Sequence, residues 1–123
     1  MTKILFICTG NICRSPMAEV IFNNICHKNK RKDIIAKSAG THAENGQPMS
    51  ELAREALLKC GEKLPKTPHK STLLTHNLMQ KHQKIIDLRT FLDPFGGDLD
   101  TYIRVCKQLQ IECERLYNEL CKT

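Results

Sequence analysis

Ile4-Leu5-Phe6-Ile7-Cys8-Thr9-Gly10-Asn11-Ile12-Cys13-Arg14-Ser15-Pro16 runs from an apolar segment, through a short polar loop, into a segment of helical periodicity. The stretch from Lys3 to Ile7 is rich in Ile and Phe, as expected of a strand buried on both faces of a parallel sheet. Ser15 is placed to cap a helix with Pro16 in its first turn. Met17, Val20, Ile21 and Ile25 then supply the three-and-four spacing of a buried stripe. A loop between strand and helix presents successive backbone N–H groups, and the positive end of the helix adds to them, so the concavity suits a tetrahedral oxyanion. Gly10 is read as permitting close backbone approach, and Arg14 as a planar two-pronged contact to phosphate oxygens. The same field favours the thiolate form of Cys8, with Ser15 as its hydrogen-bond donor.

Outward from this loop, the chain alternates between strand and helix signals. A second strand is expected at Ile34 to Lys37, ending in Ser38-Ala39-Gly40, followed by a surface loop to Pro48. Ser50 can cap a helix whose Leu52, Ala56, Leu57 and Cys60 share a face, with Gly61 as its stop. Thr75 starts a short helix through Met79. A third strand is expected at Ile85 to Leu88, extending as far as Leu92, and it leads directly into the turn Asp93-Pro94-Phe95-Gly96-Gly97. From Leu99 to Cys121, Tyr102, Cys106, Leu109, Cys113, Leu116 and Leu120 mark a long helix. The expected fold is α/β and three-layered: a short parallel sheet flanked by helices, in one domain over residues 1–123, with the ligand site at the carboxyl ends of the strands. Cys8 and Asp93 both fall just past such an end.

Composition narrows the classes. Hydrophobic residues at 41% and charged residues at 26% are ordinary for a globular chain. No apolar run approaches the roughly 18 residues of a membrane span, and Ile4 to Ile7 is too short for a signal-peptide core, so a cytoplasmic protein without membrane contact is expected. Seven cysteines without regular spacing or a Cys-x-x-Cys pair point to reduced thiols rather than a disulfide frame or a zinc site. The net charge of +6 favours anionic partners. Lys28, Lys30, Arg31 and Lys32 are read as a solvated helix end, and the scarcity of aromatics argues against nucleic acid.

The chemistry follows from the residue types. Cys8 attacks phosphorus to form a thiophosphate, which divides one difficult hydrolysis into two steps. Asp93 protonates the leaving oxygen and later activates water. The segment Lys3 to Phe22 closely resembles the active-site segment of the low-molecular-weight protein tyrosine phosphatases. Ser38-Ala39-Gly40-Thr41, His69 with Ser71, and Asp93-Pro94-Phe95 continue the resemblance in the same order. It implies a phosphate loop from Thr9 through Gly10, Asn11, Ile12, Cys13 and Arg14 to Ser15, with Cys8 as nucleophile, Arg14 as phosphate ligand and Asp93 as general acid. It further implies Asn11 as a brace of the loop, Ser38 and His69 as hydrogen-bond partners of Asn11, and Phe95 as a wall against the substrate ring. No metal or cofactor is implied, and the substrate would be a phosphorylated protein or a small aryl phosphate. Cys13 keeps two readings, a core residue or, as in the family, the partner of Cys8 in a reversible disulfide. His69 as a solvated loop residue and Phe95 as an apolar lid on the turn also stay open.

The resemblance breaks in one place. The family has four parallel strands, and only three are read here. Between Met79 and Asp93 a strand-and-helix unit is missing, and a βαβ unit of roughly 30 residues has no room in that spacer. The surviving strand could take either place in the sheet, with Asp93 reaching the loop at an altered angle or falling short of it. An uncovered apolar edge would then favour a homodimer or marginal stability. Ile12 resembles the tyrosine-specific members, whereas protein-arginine phosphatases tend to have Thr there; the Asp-Pro-Phe-Gly-Gly turn resembles the latter. A thioredoxin-coupled arsenate reductase and a catalytically impaired oxyanion-binding module are the remaining alternatives.

Overall fold

The computed structural model describes residues 1–122. Its order is β1 (Thr2–Cys8), α1 (Arg14–Lys28), β2 (Ile34–Gly40), α2 (Glu51–Lys59), α3 (His76–Gln80), β3 (Lys84–Asp87) and α4 (Leu99–Leu120). The strands form one three-stranded parallel sheet in the order β2-β1-β3. β1 is central, with Ile4 opposite Ala36 on one side and Lys84 on the other. A central strand has both edges paired and both faces covered, which accounts for its unbroken apolar run from Ile4 to Ile7.

The two faces are unequal. Ile4 and Phe6 point into the main core, where α1, α2 and α4 pack Met17, Ile21, Phe22, Leu57, Val105 and Leu109 against them. Leu5 and Ile7 point the other way, into a small cluster covered by Leu74, Leu78 and Ile85. α1 lies between the sheet and α4, so it buries a broader face than its periodicity implied: Ala18, Phe22 and Cys26 are buried as well. Ile25 is only half-buried. On α4 the buried stripe runs from Tyr102 to Tyr117, with Leu120 at its margin.

Two boundaries depart from the sequence expectation for a tertiary reason, the start of α1 and the end of β3. Ser15 is not a helix cap: α1 begins at Arg14 with Cys13 in the cap position, and no side chain caps it. The Ser15 hydroxyl is engaged with Cys8 and Asn11 in the loop before α1 instead. β2 ends in Ser38-Ala39-Gly40, as expected. β3 stops at Asp87 and does not extend toward Leu92, because the carbonyls that follow turn inward onto Arg14. Ser50 and Thr75 do cap α2 and α3, accepting from the N–H groups of Ala53 and Leu78.

Candidate active site

The loop between β1 and α1 is held by its carbonyls. Cys8 O accepts from Thr41 N and Thr9 O from His42 N, each at 2.9 Å. Asn11 O accepts from His69 Nε2 at 2.7 Å, and Ile12 O accepts from Ser50 N at 2.9 Å. In a trans peptide the C=O and the following N–H point in opposite directions. With the carbonyls of Thr9, Asn11 and Ile12 tied to the surrounding scaffold, the N–H groups of Gly10, Ile12 and Cys13 face the other way. Those three donors, and the N–H groups of Arg14 and Ser15, have no protein acceptor among the described residues. A row of unpaired donors at a helix N-terminus is the physical content of an anion cradle.

Cys8 lies within it, 2% exposed, and accepts from Asn11 N at 3.3 Å. A relay leads to its other contact. Thr72 N donates to Asn11 Oδ1 at 2.8 Å, so the Asn11 amide points its NH2 at Ser15 Oγ, also at 2.8 Å. Ser15 Oγ is thereby an acceptor on that side, and its own proton is left free for Cys8 Sγ, its other neighbour at 2.8 Å. Asn11 adopts a left-handed φ of 58° and is fully buried. That conformation is costly for most residues but tolerated by Asn.

The steric demand sits at Gly40 rather than Gly10. A Cβ on Gly40 would lie 2.6 Å from Thr9 O and 2.9 Å from Asn11 N, whereas one on Gly10 would meet only Ile12 Cγ1 at 3.8 Å. Ser38 also departs from expectation. Its hydroxyl donates to Glu19 Oε1 at 2.6 Å, and the bond expected to Asn11 is instead made by the N–H of Thr72. Glu19 is half-buried, and desolvation raises its carboxyl above the ordinary range against the opposing effects of Ser38, His69 and Lys37.

Arg14 is 4% exposed. Its Nη1 donates to the carbonyls of Leu88, Arg89 and Phe91 at 3.4, 3.3 and 3.1 Å, and its Nη2 reaches Thr9 Oγ1 at 3.4 Å. The short connection after β3 therefore wraps the guanidinium and carries Asp93 to the loop. Asp93 Oδ2 lies 3.5 Å from Arg14 Nη2, with the Asp93 side chain 54% exposed. A cavity of about 290 Å³ is lined by the loop from Cys8 to Arg14 together with Asp93 and Phe95. Phe95 stands 70% exposed at its mouth.

Cys13 packs in the main core, its Sγ 3.5 Å from Tyr102 Oη. Burial pushes its thiol pKa up, opposed by hydrogen bonds with Tyr102 and Ser50. Glu19, Thr72, Tyr102 and the carbonyls of Leu88, Arg89 and Phe91 were not anticipated. Tyr102 stood on the apolar stripe of α4, where its position beside Cys13 had no sequence mark. Backbone acceptors carry none at all.

Residues 3–88 match the family described as low molecular weight phosphotyrosine protein phosphatase. A protein-arginine-phosphatase of Bacillus subtilis (strain 168) is 34% identical over 149 residues, covering 97% of this chain and 94% of its own. The low molecular weight protein-tyrosine-phosphatase PtpB of Staphylococcus haemolyticus is 29% identical over 131 residues, covering 87% and 91%. Among solved structures, a mutant of YwlE from Bacillus subtilis superposes with a TM-score of 0.89 at 28% identity, over 99% of this chain and 100% of the other. A low molecular weight protein tyrosine phosphatase from T. tengcongensis gives 0.87 at 28%, over 97% and 99%. The 149-residue alignment exceeds the 123 residues of this chain while taking in nearly all of both, so the relative's additional residues are internal.

Proposed function

Since this chain belongs to the low molecular weight phosphotyrosine protein phosphatase family, we propose that it hydrolyses a phosphorylated protein side chain, phosphotyrosine first, through a cysteinyl-phosphate. The observation that carries this reading is the thiol of Cys8 inside a cradle of unpaired N–H groups, hydrogen-bonded to the Ser15 hydroxyl that Asn11 orients. The cradle and Arg14 bind the phosphoryl oxygens, and charge developing on them in the transition state is stabilised by donors already in place. The Cys8 thiolate attacks phosphorus and the P–O bond to the leaving group breaks. Asp93, as the acid, gives its proton to that oxygen. Asp93 as carboxylate then takes a proton from water, which attacks phosphorus, expels the thiolate and releases inorganic phosphate.

Ile12 and Phe95 give the cavity apolar walls suited to an aryl ring. Phosphoarginine is the second reading, favoured by the identity with the Bacillus subtilis protein-arginine-phosphatase and by the turn at Asp93 to Gly97. Parallel assays on phosphotyrosine and phosphoarginine peptides decide between them, with Cys8→Ser and Asp93→Ala as controls. Turnover surviving Cys8→Ser on both substrates would defeat the mechanism.

A further inference from the structure

The sheet has two edges, and they are treated differently. At β2, the side chain of Asn23 takes both backbone groups of Ala36, donating to its O at 3.0 Å and accepting from its N at 2.9 Å. Gly40 N donates to Thr72 O, and Gly40 O accepts from Leu74 N. That edge is obstructed at its middle and at its carboxyl end. At β3, Leu88 N donates to Ile7 O, so the inward-facing residues of the parallel ladder are Lys84, Ile86 and Leu88. The N–H and C=O of Ile85 and Asp87 therefore face outward, and they have no partner among the described residues.

Beside this edge lies a cavity of about 200 Å³ whose apolar lining includes Phe6, Ile86, Leu88, Phe91, Leu109 and Leu116. Its charged lining is balanced, Lys84 and Arg115 against Glu112 and Glu119. On a chain of net charge +6, two copies repel each other over most of their surfaces. This neutral patch is where they can meet, and it offers no excess of charge to a strongly anionic partner.

We infer that β3 pairs antiparallel with β3 of a second copy of this chain about a two-fold axis, Ile86 facing the partner's Ile86 and Ile85 facing the partner's Asp87. The register follows from the pleat. A two-fold axis normal to the sheet keeps each side chain on its own face, so facing residues must share a face. The outward groups of Ile85 and Asp87 then match those of the partner's Asp87 and Ile85, and each unpaired donor meets an acceptor. Because β2 is obstructed, pairing closes at two copies rather than propagating along open edges. The inference rests on the sheet edge and is independent of the chemistry assigned to Cys8.

Sedimentation of the purified chain is expected to give twice the 14.1 kDa of one copy, with dissociation on dilution. Ile85→Pro removes an outward N–H that β1 does not use, so it is expected to yield a monomer with unchanged circular dichroism. Ile86→Cys is expected to cross-link to the same position of its partner under mild oxidation, located by peptide mapping, because a non-hydrogen-bonded antiparallel pair holds its Cα atoms about 4.5 Å apart, within disulfide range. Ile85→Cys is expected not to cross-link to itself. A monomeric wild type up to its solubility limit, a dimer indifferent to Ile85→Pro, or absence of the link between the two copies of position 86 would each overturn the inference. The cross-link decides the matter if the proline variant fails to fold.

Discussion

Nη1 of Arg14 lies 3.1 Å from the carbonyl oxygen of Phe91. With Leu88 O and Arg89 O on the same nitrogen, a backbone segment that could have continued β3 is folded around a cation instead. The same turn brings Asp93 to within 3.5 Å of the other terminal nitrogen. The guanidinium thus serves the loop on one side and organises the shortened connection on the other.

Arg14→Lys tests both roles. An ammonium has no planar fork, so it cannot serve phosphate oxygens and these carbonyls together. On aryl phosphate, kcat is expected to fall about 10²–10³-fold, as for loss of an oxyanion donor. Urea unfolding should show a loss of about 1–3 kcal/mol from the orphaned acceptors. A variant of wild-type stability would show that Arg14 does not hold the connection.

Asn11→Ala breaks the relay from Thr72 to Ser15 and places a Cβ-only side chain at a φ of 58°. Asn11→Gly removes the amide while relieving the backbone. If the relay matters, both variants lose activity and Asn11→Gly is the more stable in denaturant. Full activity in Asn11→Gly would reduce Asn11 to a conformational role.

Gly40→Ala is expected to destabilise the fold by about 1–3 kcal/mol, the usual cost of overpacking. Its Cβ would intrude on Thr9 O and Asn11 N, so phosphate affinity, read by titration calorimetry, should fall too. Gly10→Ala should leave stability near wild type. The reverse ranking would contradict the loop geometry.

Glu19 carries a pH signature. Its raised carboxyl pKa means that the folded state prefers the protonated form. The associated stability is present below the ordinary glutamate value of about 4.3 and is lost as pH rises through the raised one. Glu19→Gln retains an acceptor for Ser38 without the charge. It is expected to melt higher than wild type at pH 7, with the gap closing as pH falls toward about 4. A gap that widens on acidification would reverse the assignment.

How much of this could be read from the chain depends on the range of the interaction. β1 and the loop were legible because a two-face-buried strand and a strand–loop–helix junction leave continuous local marks. The caps Ser50 and Thr75 were legible for the same reason, since each bonds an N–H three residues away. Ser15 looked like a cap by the same local rule, but tertiary contacts with Cys8 and Asn11 took its hydroxyl. Ser38 turned to Glu19, a partner 19 residues distant that sits on α1 with no pattern to announce it. The end of β3 was misjudged because Leu88 to Leu92 is apolar enough for a strand. What bends it is the charge of Arg14, 74 residues or more away in sequence.

The central claim is that Cys8 carries the phosphoryl group. Rapid quenching of the reaction with an aryl phosphate, followed by mass spectrometry of the intact chain and its peptides, reads that bond directly. One phosphoryl group on the peptide containing Cys8 is expected during turnover, formed with a burst of phenol and absent in Cys8→Ser. Phenol release at the wild-type rate with no phosphorylated Cys8, or undiminished turnover by Cys8→Ser, would contradict it.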